Sequence, residues 1–577
     1  MEKPYAITLE TGTSLANRTG SWRVERPVYL DRMPPCNDAC PAGENVQGWL
    51  YAAEEGDYEA AWRKLTADNP MPAVMGRACF HPCETACNRA KLDEAVGINA
   101  VERFIGDWAI GTGLRFDRPA AETGKRVLVV GAGPAGLSAA YHLRRLGHAV
   151  TIIEAAPLAG GMMRYGIPEY RLPRDILDVE ISRIVEMGIE LRLGEPVEDL
   201  AALLEASHSA SGGSASGGGR RRAGSAPAYD AAFLGVGAQT AKRAFIPAGD
   251  SARILDALAL LRSTADGESV LIGRRVAVYG GGDTAMDAAR TARRLGAAEA
   301  IVVYRRNRER MPAHAEEYED AVAEGIRFKW LSTITHVAGG GLLLEKMQLD
   351  ETGFPQPTGE TEELDADSVV LALGQESDLS LVSDVPGVGV KDGWILVGPS
   401  MMTGEPGVFA GGDVVGRDMT VTTAIGHGKL AARAIDAYLA GSEYVHPPRH
   451  ELASFERLNT WYYSDAPRSL RPRLEAARRA STFDEVVGGL DVDTAVFEAR
   501  RCMSCGNCFE CDNCFGVCPD NAVIKMADVV AGNGAGPTWA SGGAGRRYAF
   551  NLDYCKGCGI CVAECPCGAI VMEPERI

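Results

Sequence analysis

The chain has 577 residues, of which 46% are hydrophobic and 24% are charged, and its formal net charge is −18. This length predicts several domains with separate cores, and the excess of acidic residues argues against nucleic acid as a partner. The sequence has no run of about 18 apolar residues typical of a membrane span and no secretory signal pattern at its start, so we expect a cytoplasmic protein without a membrane partner.

The first part of the chain combines an irregular stretch with a helical, cysteine-bearing region. Residues 1–35 show no clear periodicity and are predicted to form an extended arm, whereas residues 36–112 show a helical pattern interrupted by short loops. The loops carry five cysteines: Cys36, Cys40, Cys79, Cys83 and Cys87. Disulfides are one interpretation, but a reducing compartment and close spacing favour metal ligation. Zinc is a second alternative, although zinc sites favour C-x2-C spacing and both loops contain C-x3-C.

A stretch typical of dinucleotide binding follows the helical region. Residues 127–130 predict a buried parallel strand, which leads into Gly131-x-Gly133-x-x-Gly136 and then into a helix. A second strand ends in Glu154, whose carboxylate is suited to a pair of ribose hydroxyls. The three glycines make a tight turn, let a pyrophosphate approach the backbone and bring the helix close to the strand. A tight β–α turn without a ligand is the alternative.

A second fingerprint of the same kind lies further along the chain. A strand ends at Tyr279, the turn Gly280-Gly-Gly282-Asp283-Thr284 follows it, and a helix begins there. The next strand ends in arginines, and the candidate residues are Arg305, Arg306 and Arg310. Because arginine forks suit a 2′-phosphate, whereas a carboxylate suits a 2′-hydroxyl, NADP(H) is favoured over NAD(H). The alternative is that these arginines are solvated charges beyond a strand end.

From Cys36 to Leu439 the chain resembles a family that comprises the small subunit of glutamate synthase and the N-terminal half of dihydropyrimidine dehydrogenase. The resemblance rests on the cysteine loops, on Ile98-Asn99-x-x-Glu102-Arg103 and on the two nucleotide fingerprints. It implies FAD at the first fingerprint, NADP(H) at the second and [4Fe-4S] clusters in the helical domain. By this resemblance, the ligands of one cluster are Cys40, Cys79, Cys83 and Glu102. Cys36 and Cys87 match half of another set, whose upstream C-x2-C pair is absent here.

The resemblance also implies residues for the flavin and nucleotide sites. Residues 160–168 look like the family's loop over the flavin, and Asp413 matches an aspartate that contacts the ribityl chain. The predicted cofactor-binding residues are Gly131, Gly133, Pro134, Ala135, Gly136, Glu154, Gly161, Arg164, Gly166, Ile167, Gly237, Gly280, Gly282, Asp283, Thr284, Arg305, Arg306, Arg310, Gly374, Gly412, Asp413 and Thr423. No catalytic acid or base is predicted, because hydride transfer between stacked rings depends on positioning.

The tail contains two complete bacterial ferredoxin motifs. Each has C-x2-C-x2-C-x3-C-P spacing, and the fourth cysteine of each run ligates the cluster of the other run. One predicted ligand set is Cys508, Cys511, Cys514 and Cys565. The other is Cys555, Cys558, Cys561 and Cys518. A zinc ribbon is the alternative, which the paired motifs disfavour.

Three tail cysteines remain, Cys502, Cys505 and Cys567. The sequence Arg501-Cys502-Met-Ser-Cys505 looks like the family's missing C-x2-C pair, placed at the other end of the chain. Our hypothesis is that Cys502 and Cys505 fold back to complete the cluster begun by Cys36 and Cys87. It predicts four clusters and about 16 irons per chain, and a count near 12 would contradict it. Spare thiols are the alternative for this pair.

Together these patterns predict an α/β protein with two nested Rossmann-like domains for FAD and NADP, an N-terminal all-α iron–sulfur domain and a C-terminal α+β ferredoxin-like domain. Val369 to Gly374 is predicted as the strand by which the chain returns to the first nucleotide domain. Residues 206–227 predict a flexible surface loop. The predicted boundaries are 1–35 for the arm, 36–112 for the helical domain, 113–264 and 386–440 for the FAD domain, 265–385 for the NADP domain, 441–500 for a linker and 501–577 for the ferredoxin domain.

Linked in series, these sites predict an electron-transfer oxidoreductase subunit that connects NADP(H), FAD and a chain of [4Fe-4S] clusters to a partner enzyme. The resemblance implies the glutamate synthase large subunit as the partner, whereas the tail looks like the ferredoxin subunit of 2-oxoacid oxidoreductases. A stand-alone NADPH:ferredoxin oxidoreductase, with free ferredoxin as its partner, and a non-catalytic iron–sulfur sensor are the alternatives.

Overall fold

The computed structural model describes residues 18–201, 203, 229–242, 253–338, 341–416, 418–526 and 548–575. The predicted loop at 206–227 lies outside these residues. The elements before the first nucleotide domain are a short 3-10 turn (Thr19–Trp22), β1 (Glu25–Tyr29), α1 (Pro35–Ala39), α2 (Val46–Glu54), α3 (Tyr58–Thr66), α4 (Pro72–Ala78), α5 (Pro82–Thr85) and α6 (Ile98–Gly111). The apolar faces of α2, α3 and α6 form one core around Trp49, Trp62 and Ile105, whereas Val74 and Met75 of α4 pack into the core of the first nucleotide domain.

The first nucleotide domain begins with a strand, a glycine turn and a helix, in agreement with the sequence. Its first elements are β2 (Arg126–Val130), α7 (Pro134–Arg145), β3 (Ala149–Glu154), α8 (Met162–Tyr165), α9 (Arg174–Val185), β4 (Glu190–Leu193) and β5 (Ala231–Leu234). β2 pairs in parallel with β3 and β5, and its side chains are buried on both faces from residue 127 onward. This explains why β2 is an unbroken apolar run instead of an alternating pattern.

The second nucleotide domain is inserted after β5. Its elements are β6 (Thr240–Ala241), β7 (Arg253–Asp256), α10 (Ala257–Ala265), β8 (Arg275–Tyr279), α11 (Asp283–Arg294), β9 (Glu299–Tyr304), α12 (Ala315–Ala323), β10 (Arg327–Trp330), β11 (Ser332–Ala338), β12 (Gly341–Leu349), β13 (Pro355–Asp365), β14 (Ser368–Leu371) and β15 (Gln375–Glu376). Five strands form a parallel sheet in the order β10-β9-β8-β14-β7, and β11 to β13 form a separate antiparallel sheet.

Two sequence-based predictions about this domain need correction. The strand at Val369 does not belong to the first domain, because β14 pairs with β8 and β7 inside the second sheet. β7 also belongs to that sheet, so the second domain begins before residue 265. The segments that join the two domains pair with each other instead, as the short antiparallel ribbon of β6 and β15.

The chain then returns to the first sheet and completes it. The elements are β16 (Val390–Lys391), β17 (Trp394–Ile395), β18 (Val408–Ala410) and α13 (Val421–Leu439). β18 pairs in parallel with β5, which gives the sheet order β18-β5-β2-β3-β4. α13 packs against α7 across the core of this domain. The nested arrangement of two Rossmann-like domains is thereby confirmed.

Residues 441–500, predicted as a linker, contribute to the helical domain. They contain α14 (Ala476–Arg479) and α15 (Val492–Arg500). α15 packs against α2 and α6, and Leu490, Ala495 and Ala499 are buried in the core of that domain. The helical domain therefore takes its core from two distant parts of the sequence.

The ferredoxin-like domain contains α16 (Asn513–Gly516), β19 (Val523–Lys525), β20 (Tyr548–Phe550), α17 (Ile560–Ala563) and β21 (Ile570–Pro574). β1 pairs with β21 along its full length, with Glu25 opposite Pro574 and Tyr29 opposite Ile570. Residues 25–29 of the predicted extended arm are therefore a strand that pairs with this domain. In the described part of the chain, no helix has the length and apolar character that crossing a membrane requires.

Candidate cofactor sites

A cavity of about 1000 Å³ extends between the two glycine turns. It brings together predicted residues of both nucleotide sites: Gly133, Pro134, Ala135, Gly161, Gly166, Ile167, Gly237, Gly282, Asp283, Thr284, Gly374, Gly412, Asp413 and Thr423. The helical domain also lines this cavity, through Pro41, Phe80 and Pro82. A single cavity is thus bounded by two nucleotide domains and a cysteine-bearing loop.

The first and third glycines of the first fingerprint are required by the protein itself. Gly131 has a φ of +100°, and a Cβ there would collide with the carbonyl oxygen of Gly235. A Cβ on Gly136 would collide with the carbonyl oxygen of Gly131, which the helix approaches closely. Gly280 shows the same constraint in the second turn, with a φ of +154°. These positions hold the turns in shape and do not line the cavity.

The middle glycines behave differently and show that the cavity fits a dinucleotide. Gly133 and Gly282 have φ values of −76° and −92°, which other residues adopt readily. The nearest atom to an added Cβ is 3.9 Å away at Gly133, and among the described residues no atom lies within 4 Å of one at Gly282. Neither conformation nor packing therefore requires glycine here. Both residues directly precede a helix, so the missing side chain leaves room for a phosphate at the helix N-terminus.

Glu154 is buried and already bonded to the backbone of its own turn. Its carboxylate accepts hydrogen bonds from the backbone N–H of Ala132 at 2.7 Å and of Ala156 at 2.8 Å. These bonds fix the glycine turn beside β3. Because each carboxylate oxygen has two acceptor positions, the contacts leave capacity for ribose hydroxyls.

Arg164 is hydrogen-bonded to two residues of its own domain. Its Nε donates to the carbonyl oxygen of Ala159 at 2.6 Å, and Nη2 pairs with Asp178. The side chain is buried and is not part of the cavity wall. The structure therefore gives Arg164 a role in holding the loop 160–168, whereas its predicted cofactor contact is still only a prediction.

The 19-residue helix α13 begins at the wall of the cavity. Asp413 precedes this helix and Thr423 lies in its first turn, and both residues line the cavity. Burial raises the pKa of Asp413 to about 6. The Oγ of Thr420 caps the helix by accepting from the backbone N–H of Thr423 at 3.1 Å. The neighbouring Gly412 donates its backbone N–H to Nδ1 of His427 at 3.1 Å. These bonds place the start of the helix and the aspartate on the same side of the cavity.

The second turn contacts the helical domain through residues that the sequence reasoning missed. The Asp283 carboxylate accepts from the backbone N–H of His314 and lies 2.9 Å from its Nδ1. The His314 ring stacks on Phe80, with ring centroids 3.4 Å apart. Phe80 follows the predicted cluster ligand Cys79 in the chain. Nothing in the spacing of Phe80 or His314 signals this contact, because it depends on how two domains meet.

The three arginines predicted to bind the 2′-phosphate do not line the cavity. Arg305 and Arg306 follow the end of β9, next to the strand that leads into the second glycine turn. Arg305 is exposed. Arg310 is also exposed, and its Nη1 donates to the carbonyl oxygen of Thr352 at 3.2 Å. The contact directs Arg310 toward the β12–β13 connection, which leaves Arg305 and Arg306 as the better placed pair.

The first predicted cluster site lies against the cavity. The Sγ of Cys79 accepts from the Oγ1 of Thr422 at 3.1 Å and from the backbone N–H of His81 at 3.2 Å. Burial and the neighbouring Glu102 raise the pKa of Cys79 to about 12. Burial and the neighbouring Cys79 raise the pKa of Cys83. The predicted ligands of this site are therefore close enough to influence one another, and a hydrogen bond from α13 links them to the cavity.

The structure also brings Cys36, Cys87, Cys502 and Cys505 together around a small cavity. Burial and the neighbouring Cys502 raise the pKa of Cys36. We call this group the four-thiol site. Its two halves come from distant parts of the chain, as the folding-back hypothesis requires, and its four-sulfur donor set fits a [4Fe-4S] cluster.

Arg501 anchors the second half of the four-thiol site. Its buried guanidinium donates to the carboxylate of Glu498 at 2.6 Å and to the carbonyl oxygen of Glu94 at 2.7 Å. It also donates to the carbonyl oxygens of Ala95 and Ala466, both at 3.1 Å. A single side chain thus ties the residues before Cys502 to the loop that follows Cys87.

The ferredoxin-like domain groups its cysteines as the motif predicts. Cys518, Cys555, Cys558 and Cys561 line one cavity, so the fourth cysteine of the first run joins the second run. In the other set, burial raises the pKa of Cys511, and Cys565 is one of the neighbours that add to this effect. Cys567 belongs to none of the predicted ligand sets, and its Sγ lies 3.7 Å from that of Cys565.

Two of the four predicted ligand sets each line a small cavity, and their thiols do not converge on a point. Among the described residues, no group of three or more histidine, cysteine or acidic side chains has the geometry for a single metal ion. A cluster of four irons and four sulfides is larger than one ion and holds its cysteines further apart. Four cysteines around one cavity therefore fit such a cluster.

Three family models match the chain in the order of its domains. Residues 26–114 match dihydropyrimidine dehydrogenase domain II with a 4Fe-4S cluster. Residues 125–428, more than half of the chain, match the pyridine nucleotide-disulphide oxidoreductase family. Residues 507–569 match a 4Fe-4S dicluster domain. The first match includes β1, which pairs with the ferredoxin-like domain.

Several characterised proteins are similar over most of the chain. The NADP(+)-dependent formate dehydrogenase subunit beta of Moorella thermoacetica is 36% identical over 516 residues, which is 82% of this chain and 70% of that protein. The NADPH-Fe(3+) oxidoreductase subunit beta of Geobacter sulfurreducens is 30% identical, over 83% of this chain and 76% of that protein. The NAD-dependent dihydropyrimidine dehydrogenase subunit PreT of Salmonella typhimurium is 31% identical, over 70% of this chain and 91% of that protein.

Proposed function

Because the chain belongs to the pyridine nucleotide-disulphide oxidoreductase family, we propose that it is the nucleotide-reacting subunit of a larger electron-transfer complex. The chain is an oxidoreductase with FAD, NADP(H) and [4Fe-4S] clusters as cofactors. The proposal adds a route, in which electrons pass between NADP(H) and a partner catalytic subunit through four clusters. Relatives that are subunits of redox enzymes support this arrangement.

The observation that carries the proposal is the cavity shared by both glycine turns and the Cys79 loop. When bound, FAD exchanges a hydride with the nicotinamide and single electrons with the clusters. Gly133 and Gly282 let the two nucleotides approach the start of α7 and α11. Thr422, on α13, bonds to Cys79 and so joins the cavity wall to the first cluster site. The chain's contribution is therefore to hold the redox groups in one line.

For the first part of the route we propose ligand sets in the helical domain. The cluster next to the cavity would be held by Cys40, Cys79, Cys83 and Glu102. The next would be held by Cys36, Cys87, Cys502 and Cys505, the four-thiol site. This order supports electron transfer between the flavin and the tail through the helical domain, in either direction.

The ferredoxin-like domain would then extend the route. Its two clusters would be held by Cys508, Cys511, Cys514 and Cys565, and by Cys518, Cys555, Cys558 and Cys561. The Tyr463 hydroxyl donates to the carbonyl oxygen of Met503, which lies between Cys502 and Cys505 in the sequence, at 2.9 Å. Burial and the neighbouring Cys567 and Cys505 raise the pKa of Tyr463, with a smaller effect from Cys511. One side chain therefore borders both groups of cysteines, which supports direct transfer between them.

For the NADP(H) site, we propose that Arg305 and Arg306 bind the 2′-phosphate. This assignment is supported by the position of the two arginines after β9, beside the second glycine turn. NAD-binding domains carry an acidic residue at this position. Two of the relatives carry NADP in their names, and one carries NAD.

The partner proposed first is a catalytic subunit that delivers electrons from a small substrate such as formate. It is supported by 36% identity to the beta subunit of an NADP(+)-dependent formate dehydrogenase. The catalytic subunits of a 2-oxoacid oxidoreductase and the large subunit of glutamate synthase are the alternatives that the sequence suggests.

Anaerobic purification of the native protein, followed by mass spectrometry of the proteins that copurify, tests this proposal. A stoichiometric formate-oxidising subunit supports the first partner, and a thiamine-diphosphate or amidotransferase subunit replaces it with an alternative. If the chain purifies alone and reduces ferredoxin with NADPH, it is a stand-alone oxidoreductase. Absence of NADPH-dependent viologen reduction by protein with full FAD and iron would overturn the proposed route.

A further inference from the structure

A tyrosine outside the ferredoxin motifs contacts a proposed cluster ligand. Tyr29 lies on β1, is buried, and has its hydroxyl oxygen 3.3 Å from the Sγ of Cys514. Its ring stacks on Phe550, with ring centroids 4.7 Å apart and planes 18° apart. The phenol is thus held between the domain core and a sulfur atom, although Tyr29 and Cys514 are 485 residues apart.

The strand that carries Tyr29 is fixed to the domain at several points. β1 pairs with β21, which places Tyr29 opposite Ile570. Before the strand, Arg23 donates to the carbonyl oxygens of Leu552 at 2.6 Å and Cys555 at 2.9 Å. After it, the backbone N–H of Leu30 donates to the carbonyl oxygen of Ala569 at 2.9 Å. The hydroxyl of Tyr29 is therefore positioned by backbone pairing, and not only by its own contact with sulfur.

The direction of the hydrogen bond follows from the chemistry of a bound cluster. A ligating cysteine is a thiolate without a proton, so the Tyr29 hydroxyl must be the donor. A phenol with an ordinary pKa of about 10 keeps its proton near neutral pH. Reduction adds negative charge to the cluster and its sulfurs, which strengthens a hydrogen bond donated to them. Such a bond favours the reduced form and raises the reduction potential.

We propose that Tyr29 is a positioning residue that raises the reduction potential of the cluster held by Cys508, Cys511, Cys514 and Cys565. This inference rests on the proposed ligand sets. The backbone N–H of Gly506, next to Cys505, donates to the carbonyl oxygen of Cys567 at 2.7 Å, and the Sγ of Cys567 lies 3.7 Å from that of Cys565. This cluster is therefore the one next to the four-thiol site. A higher potential there stabilises an electron on the cluster through which the helical domain and the tail exchange electrons.

The test compares Tyr29→Phe with Tyr548→Phe in the full chain with all clusters loaded. Tyr29→Phe removes the donor and keeps a ring that can stack on Phe550. Tyr548 is also a buried tyrosine of this domain, but its hydroxyl bonds to the Asp512 carboxylate and to the carbonyl oxygen of Glu510. Iron content, and reduction of the clusters followed by electron paramagnetic resonance during an anaerobic redox titration, are measured for both variants.

We expect Tyr29→Phe to keep about 16 irons and to lower the potential of one cluster, whereas Tyr548→Phe leaves all four unchanged. The expected shift is a three- to tenfold fall in the ratio of reduced to oxidised cluster at fixed potential, tenfold being 59 mV for one electron. In deuterated water, the Tyr29→Phe cluster should also lose the coupling of one exchangeable deuteron.

The remaining outcomes contradict the inference. Full iron with unchanged potentials would show that Tyr29 does not tune the cluster, and a shift of the same size in Tyr548→Phe would show a nonspecific effect. Loss of four irons in Tyr29→Phe alone would show a structural role. None of these results would remove the proposed function, which depends on the iron count and on NADPH-dependent reduction in the unmodified chain.

Discussion

The ferredoxin-like domain and the four-thiol site collect cysteines in two different ways. In the ferredoxin-like domain, Cys518 of the first run lines one cavity with Cys555, Cys558 and Cys561 of the second run, as the motif predicts. In the four-thiol site, Cys36 and Cys87 meet Cys502 and Cys505 only after the chain has passed through both nucleotide domains. Local spacing specifies the first kind of site. The second kind depends on packing between distant segments, which spacing alone does not specify.

The largest expected effect separates these two kinds of site directly. Changing both Cys502→Ser and Cys505→Ser should lower the iron content from about 16 to about 12 per chain, because half of one ligand set is removed. NADPH-dependent reduction of the ferredoxin clusters should fall at least tenfold, since the route is interrupted. Iron analysis and anaerobic stopped-flow spectroscopy measure the two effects. Cys567→Ser is the control, and equal iron loss in it would contradict the proposed ligand set.

The packing that assembles the four-thiol site can be weakened without touching a cysteine. Arg501→Ala should lower the free energy of unfolding by about 3 kcal/mol, because the buried carboxylate of Glu498 loses its partner. The neighbouring Arg500 is exposed, so Arg500→Ala is a matched control with little expected effect. Denaturant unfolding and iron content are the measurements. Similar curves for both variants would show that Arg501 does not anchor this segment.

A partly buried acid in the cavity should make the stability of the flavin-free protein depend on pH. The pKa of Asp413 is raised to about 6 by burial, so its protonated form favours folding, and this contribution is fully present below about pH 4. It is lost as pH rises toward 6, at a cost of up to about 3 kcal/mol. Asp413→Asn cannot ionise and should not show this loss.

Thermal unfolding of flavin-free wild type and Asp413→Asn between pH 4 and 8 measures the effect. The advantage of the variant should grow between pH 4 and 6 and stay constant above. A difference that is independent of pH would show that Asp413 is not desolvated in solution. This would weaken the view that three domains enclose the cavity.

The smallest expected effect concerns a residue inferred from local sequence alone. Arg305→Ala should raise the KM for NADPH about tenfold, equivalent to about 1.4 kcal/mol, and leave the KM for NADH unchanged. The reason is that only NADPH carries the 2′-phosphate. Arg310→Ala is the control, since that side chain is directed to Thr352. Steady-state viologen reduction with both nucleotides measures the change, and equal losses with NADH would contradict the assignment.

Much of the fold could be predicted because its signals are local. The run from residue 127 to Gly136 predicts strand, turn and helix, and the structure has β2 and α7 there. The ferredoxin spacing predicts which cysteines share a site. What the sequence did not reveal lies between distant segments. β1 is five residues with a proline and no clear alternation, and its partner β21 lies at residues 570–574.

The same reason explains the other differences. β14 resembles any short apolar strand, and only pairing with β8 and β7 places it in the second sheet. Residues 441–500 lack a strong periodicity because they fill a groove on another domain and do not form a core of their own. The stacking of His314 on Phe80 joins two domains whose sequences carry no sign of it.

The pairing of β1 with β21 has a consequence for how the protein is made. A ribosome adds about 5 to 20 residues per second, so Cys502 emerges on the order of 20 to 90 seconds after Cys36. During that interval the ribosome has not yet synthesised the partners of Cys36, Cys87 and the Tyr29 hydroxyl. The nucleotide domains can fold in the meantime. Cluster loading at the four-thiol site and completion of the β1–β21 ribbon are therefore late steps of maturation.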